Sequence, residues 1–157
     1  MEQIIHSYAD YDLWANTRIV ERLQREADAV LDRHVKSSFP SLRLSILHIR
    51  DAGHAWYQRI FGQPMDLDES IGSLLKLSSA MADRVHAAND ALLSGNVTYT
   101  TSKGLKYTQP RWQLLMHCFN HSSYHRGQVI TIMRQLDLGE VPNTDMVAYQ
   151  RLRMAAS

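Results

Sequence analysis

Apolar residues recur at three- and four-residue steps through most of this 157-residue chain, the spacing of helices that each bury one face. From Gln3 to Gln24 the recurring positions are Ile4, Tyr8, Tyr11, Ala15, Ile19 and Leu23, which predict a first helix. Tyr8, Tyr11 and Trp14 are expected as packing aromatics, with Tyr8 or Asn16 placed to reach a central cavity. Glu26 to Ser41 reads as a connection. Its cluster Ser37-Ser38-Phe39-Pro40-Ser41 offers Ser38 or Ser41 as a helix cap and Pro40 as a first helical residue. A second helix then runs to about Phe61 and is closed by Gly62 and Pro64; its inward stripe is Leu44, Leu47, His48, Asp51, Ala55 and Gln58. A third spans roughly Asp68 to Ser94, with Leu74, Leu77, Met81, Val85, Ala88 and Leu92 facing the core.

The period then changes. Val97-Thr98-Tyr99-Thr100 and Leu105-Lys106-Tyr107-Thr108 alternate around Ser102-Lys103-Gly104, a short β-hairpin or extended connection. Pro110 opens a fourth helix that extends to about Leu136, and Thr144 to Tyr149 is expected to add a last short helical segment. The pattern as a whole predicts a single all-α domain over residues 1–157, an up-down-type four-helix bundle with a hairpin before the last long helix.

Composition narrows the function classes. The formal net charge is only +1 and basic residues are spread along the chain, so the footprint of a nucleic-acid binder is missing and none is expected as a partner. No apolar run approaches the length of a membrane span, and the first residues lack the basic and apolar regions of a signal peptide. A lone cysteine, Cys118, allows no internal disulfide and suits a reducing cytoplasm, the expected location.

The chemistry concentrates in the fourth helix. His117, His121 and His125 stand at successive four-residue steps, so each imidazole returns almost to the same helical face. The same face carries Leu114, Cys118, Gln128, Ile132 and Leu136, which mark it as buried. Burying adjacent imidazoles is costly unless each has a partner, and a metal cation is one that suits neutral imidazole. There is no HExxH sequence, so a metalloprotease helix is excluded. A further ligand has to come from another helix, and His48 is the histidine already expected on an inward face. His48, His121 and His125 make the most economical set, with His117 competing with His125 for the pairing. His54, about 120° around its helix from His48, is peripheral. Cys118 is read as a small buried hydrophobe, although a fourth ligand is geometrically conceivable. A three-histidine set leaves a position open, the mark of a catalytic or substrate-binding centre. Without metal, the same residues would form a hydrogen-bonded polar layer. On the opposite face of this helix lie Trp112, Met116, Phe119 and Ile130, with Arg126 and Arg134 beside them. Such a second stripe needs cover, which a twofold partner would provide.

The segment Asn120-His121-Ser122-Ser123-Tyr124-His125-Arg126-Gly127-Gln128 resembles the NHxxxHRGQ segment characteristic of the DinB-like family of four-helix-bundle metal proteins. Tyr11 to Asn16, Ser41-Leu42 through Leu47-His48-Ile49, Thr98-Tyr99-Thr100 with Lys103-Gly104, and Pro142 to Asp145 are similar in the expected order. The resemblance implies a divalent metal (zinc, nickel or manganese) held by His48, His121 and His125, generally in a homodimer; His117 is not implied. It also brings relatives that are thiol-dependent S-transferases or a thiol-dependent maleylpyruvate isomerase, hence a small-molecule thiol or electrophile as partner. Asp51, Asn120 and Tyr124 are the candidates to orient the ligands, and Arg126 is expected to pair with a carboxylate or with the dimer partner. Three functions remain open: a metal-dependent thiol transferase, a metal-dependent hydrolase with Asp51 as general base, and a non-catalytic metal-binding stress-response dimer.

Overall fold

The structure, a computed structural model, describes residues 1–155. Four long helices form the body: α1 (Glu2–Leu23), α3 (Leu42–Phe61), α4 (Ser73–His86) and α6 (Arg111–Gln135). Short helices α2 (Asp28–Leu31) and α5 (Asp90–Ser94), a hairpin of β1 (Asn96–Thr100) and β2 (Lys106–Pro110), and a terminal α7 (Met146–Ala155) complete it. This is the expected all-α bundle with a hairpin before the last long helix. Around the bundle the order is α1, α4, α3, α6, so α1 and α3 stand at opposite corners and α6 packs against both.

The buried faces follow from the sequence with two rotations. In α1 the inward row begins at Ile5, 2% exposed, and continues through Ala9, Asp12, Ala15, Asn16, Ile19 and Leu23; Ile4, expected inside, is 65% exposed. In α3 the expected stripe lies about one residue off. Leu42, Ser45, Ile46, Ile49, Tyr57 and Ile60 are buried, whereas Leu44, Asp51 and Gln58 face solvent. The segment contains two competing apolar rows, and a close approach decides between them: a Cβ on Gly53 would lie 3.0 Å from Leu77 Cδ2, so α4 presses on α3 along that side. Ser41 caps α3 by accepting from the Leu44 amide, and Gly62 ends it at φ 70° in the left-handed region.

The long third helix expected from Asp68 to Ser94 is two helices. Ser70 N–H donates to the Asp68 side chain at 2.8 Å, a local turn that delays the start to Ser73. Asn89 caps a new helix by accepting from Leu92 N–H at 2.9 Å. The restart turns Leu93 rather than Leu92 inward. In the hairpin, Thr98 opposes Thr108 and their hydroxyls are 2.8 Å apart.

A polar layer interrupts the core at mid-height. One apolar cluster contains Ile5, Ala9, Leu77, Val85, Leu115 and Phe119, and a second contains Ile19, Leu23, Ile46, Leu74, Val129 and Ile132. Between them in sequence lie Asp12, Asn16, Ser122 and Arg126, and Ser78 of α4 joins them at the waist of the bundle. Arg126 is 2% exposed. Its guanidinium donates to Asp12, to Asn16 Oδ1 at 2.9 Å and to the Ser122 and Ser123 hydroxyls at 2.7 Å, and it lies over the Tyr11 ring. Asn16 in turn donates to Asp12 at 3.1 Å and to Ser78 at 2.9 Å. Arg126 therefore pairs with a carboxylate, within its own chain.

The second apolar stripe of α6 is covered within the chain as well. Phe119 is 1% exposed and stacks on Tyr8 at 6.0 Å, and Trp112 and Met116 pack on the same cluster. The position of α6 between α1 and α3 accounts for its two apolar sides, so that stripe carries no argument for a second copy.

Candidate metal centre

On the side of α6 turned toward α3, the waist holds histidines. The fourfold repeat places the His121 and His125 rings 4.3 Å apart, and His48 of α3 meets them at 5.2 and 4.4 Å between ring centroids. One ligand nitrogen from each of the three falls within 4.8 Å of the others. His48 Nε2 and His125 Nε2 are 3.2 Å apart, close to the roughly 3.3 Å separating two nitrogens on a tetrahedral ion with bonds of about 2.0–2.1 Å. Although the α3 stripe is rotated, His48 stays half-buried at its edge and points at α6.

Neighbouring side chains settle the protons. His125 Nδ1 lies 2.8 Å from Gln128 Oε1, an atom that only accepts, so Nδ1 carries hydrogen and Nε2 presents its lone pair. With that tautomer the 3.2 Å contact is a hydrogen bond that His48 Nε2–H donates to His125 Nε2. Burial, and after it the neighbouring imidazoles, holds His121 down to about 4. Burial likewise lowers His48, with His125 adding to the effect. Imidazoles that resist protonation are ready metal ligands at neutral pH.

Stability should respond to pH accordingly. An unfolded chain protonates such a histidine near pH 6.5, whereas folded His121 waits until about pH 4. Between those values the unfolded state binds the additional proton, so stability falls as pH falls. Thermal unfolding in a chelator is expected to show a melting temperature that drops steadily from pH 7 toward pH 4. A flat profile across that window would contradict the burial of His121.

The other sequence candidates divide. Phe39, assigned above only to a capping cluster, stacks on His48 at 3.9 Å and meets His125 edge-on at 5.6 Å. Gln128 was named in the motif without a role, and its bond to His125 orients that ring. Tyr124 is 65% exposed and stands edge-on to His125 at 4.9 Å. Asn120 is exposed. Asp51, expected inward beside His48, faces solvent and binds Arg50 at 2.7 Å; the α3 rotation moves it off the inward face. His54 accepts from Met65 N–H at 3.2 Å, a loop contact. His117 is exposed, 6.2 Å from His121 and 5.1 Å from Trp56 by ring centroids. Cys118 is buried, and desolvation raises its thiol well above the usual range, as expected of a small core residue.

Behind His121, Asn16, Ser78, Met81, Ser122 and neighbours line a cavity of about 20 Å³. That space admits one water and nothing larger, so any substrate approaches the histidines from the surface.

The sequence model of the DinB family matches residues 1–155. The chain belongs to the DinB family. Protein DinB of Bacillus subtilis (strain 168) is 24% identical over 156 residues, an alignment covering 89% of this chain and 90% of that one. This member of the DinB family therefore has a three-histidine group that can hold a metal ion, and among its described residues no helix is long and apolar enough to cross a membrane.

Proposed function

We propose that His48, His121 and His125 hold a divalent transition metal and that the protein is a metal-dependent S-transferase acting with a small thiol. The observation that carries the reading is the convergence of three imidazole nitrogens from two helices, one of them fixed in tautomer by Gln128. The group contains no carboxylate or thiolate, which leaves the ion short of a full set of protein ligands. A divalent ion bound there supplies the Lewis acidity that deprotonates a thiol. This chemistry asks for no general base from the chain. Hydrolysis does ask for one, and Asp51, the carboxylate expected to serve, is turned outward and paired with Arg50. Phe39 shields one face of His48, and Tyr124 stands at the rim beside His125.

The test is to load the protein with Zn²⁺, Ni²⁺ or Mn²⁺ and offer glutathione, bacillithiol or mycothiol with an electrophile. Metal-dependent consumption of one thiol, lost in His48→Ala, is expected. Absence of consumption with all three would reject the transferase and favour a metal-binding stress-response role, in which the ion chiefly stabilises the fold by mass action.

The same reading takes the protein as a homodimer in the cytoplasm. Support for the dimer comes from the α1–α7 side, where Ile4, Val147, Leu152 and Met154 expose 65%, 49%, 56% and 78% of their surface. Sedimentation equilibrium is expected to give twice the chain mass, and Leu152→Glu to shift it toward the monomer. A monomer at micromolar concentration would refute this assembly.

A further inference from the structure

Arg59 differs from the other arginines. Its guanidinium lies 4.7 Å from the Trp56 ring centroid and 6.0 Å from that of Tyr99. The buried or half-buried others all donate to protein groups: Arg22 to Glu26, Arg43 to Asp28 and Asp32, Arg50 to Asp51, Arg84 to the Tyr57 hydroxyl, Arg111 to Ile60 O and Arg126 to Asp12. Among the arginines of the described residues, Arg59 alone is half-buried and makes no hydrogen bond or ion pair to the protein. A guanidinium held over a ring and without a polar partner keeps its N–H fork available to match a carboxylate. Contact with the ring also limits the rotamer freedom that binding would otherwise remove.

The surroundings give this cation a direction. Trp56 meets Tyr99 of β1 at 5.2 Å and His117 at 5.1 Å, and His117 lies 6.2 Å from His121, all between ring centroids. Tyr99 is held by its hydroxyl, which donates to Gln109 Oε1 at 2.6 Å. The hairpin, α3 and α6 thus build a half-exposed aromatic path from Arg59 to the histidine cluster. Followed ring by ring, its length is that of a ligand of roughly four to five extended residues at most. The interior cavity is too small for substrate, and this path lies on the outside.

We infer that Arg59, lying over Trp56 with Tyr99 beside it, is the carboxylate-recognition residue of a surface site that leads past His117 to the three histidines, and that the small molecule it takes is an organic acid. The inference rests on the metal-centre reading for what happens at the far end of the path, but not for the anion site itself. The acid belongs either to the thiol or to its electrophilic partner; the carboxylate chemistry is common to both.

Benzoate, benzamide and mercapto acids separate these possibilities by calorimetric titration, with the arginine Nε–H resonance of Arg59 as a second readout. In chelator-treated protein, benzoate and 4-mercaptobenzoate are expected to bind alike, benzamide not to bind, and Arg59→Gln to weaken the acids by about tenfold or more. Arg59→Lys, which keeps the charge and loses the fork, is expected to recover only part. In metal-loaded protein, 12-mercaptododecanoate, long enough to follow the path from Arg59 to the histidines, replaces 4-mercaptobenzoate: a gain over dodecanoate that Arg59→Gln removes assigns the acid to the thiol, and equal binding assigns it to the electrophile. Both outcomes support the site. Equal binding of benzamide and benzoate, unchanged affinity in Arg59→Gln, or an unmoved Arg59 resonance would overturn it. The resonance is read on the wild-type protein and so is independent of how the variants fold. Failure to bind any divalent ion in a separate metal titration would remove the metal reading and leave the anion site to stand on the chelator-treated arm.

Discussion

His121→Ala is expected to weaken binding of a divalent metal by more than about 100-fold, beyond the 10–100-fold typical of losing a residue that merely supports a ligand. Its imidazole closes the triangle with those of His48 and His125, 5.2 and 4.3 Å away by ring centroids, and among the described residues no other histidine, cysteine or carboxylate joins the group. Asp51 faces outward against Arg50. Cys118 is a buried thiol whose pKa is raised by desolvation. Competition titration with a chromophoric chelator measures the change. Gln128→Leu, which frees the His125 Nδ1 proton from its acceptor, is expected to cost about 10–100-fold in the same assay. His117→Ala should leave affinity essentially unchanged. A His117→Ala loss as large as that of His121→Ala would mean that the pairing runs the other way along the helix.

Much of this centre was legible because a four-residue step on a helix leaves few geometric choices. His121 and His125 had to share a face, and a third histidine had to come from elsewhere. The inward stripe of α3 was less legible. Leu42, Ile46 and Ile49 form one apolar row and Leu44, Leu47 and Ala55 another, and periodicity alone weights them equally. What separates them is the contact of Leu77 with Gly53, a tertiary fact. Asp51 was misplaced for that reason, while His48, lying at the border of both rows, was not. Phe39 and Gln128 act on the histidines through ring stacking and a tautomer. Neither leaves a periodic trace. The break at Ala87 to Asn89 was hidden because Asn89 caps through its side chain, whereas the apolar spacing runs on across it.

The second large effect is expected at Arg126. Arg126→Met leaves Asp12, whose side chain is only 12% exposed, without its cation, and removes donors from Asn16, Ser122 and Ser123. Removing one partner of a buried pair costs about 3–5 kcal/mol. At roughly 2–4 °C per kcal/mol for a chain of this size, the melting temperature should fall by about 10 °C or more. Asp12→Asn combined with Arg126→Met is expected to recover part of the loss, because no charge is then stranded. Thermal unfolding of the two variants and the wild type in chelator decides the matter. A fall of only a degree or two for Arg126→Met would show that water replaces the guanidinium, and that the network contributes little.

The polar waist also acts as a ruler. An apolar seam between helices tolerates sliding by a turn, since one leucine substitutes for another. A one-turn slide of α6 along α1 moves the chain by about 5.4 Å and would carry Arg126 into an apolar layer, away from Asp12. The Arg126 side of α6 therefore fixes the height at which the opposite side presents His121 and His125 to His48. Alignment of the three histidines is delegated to a charge pair that never touches them.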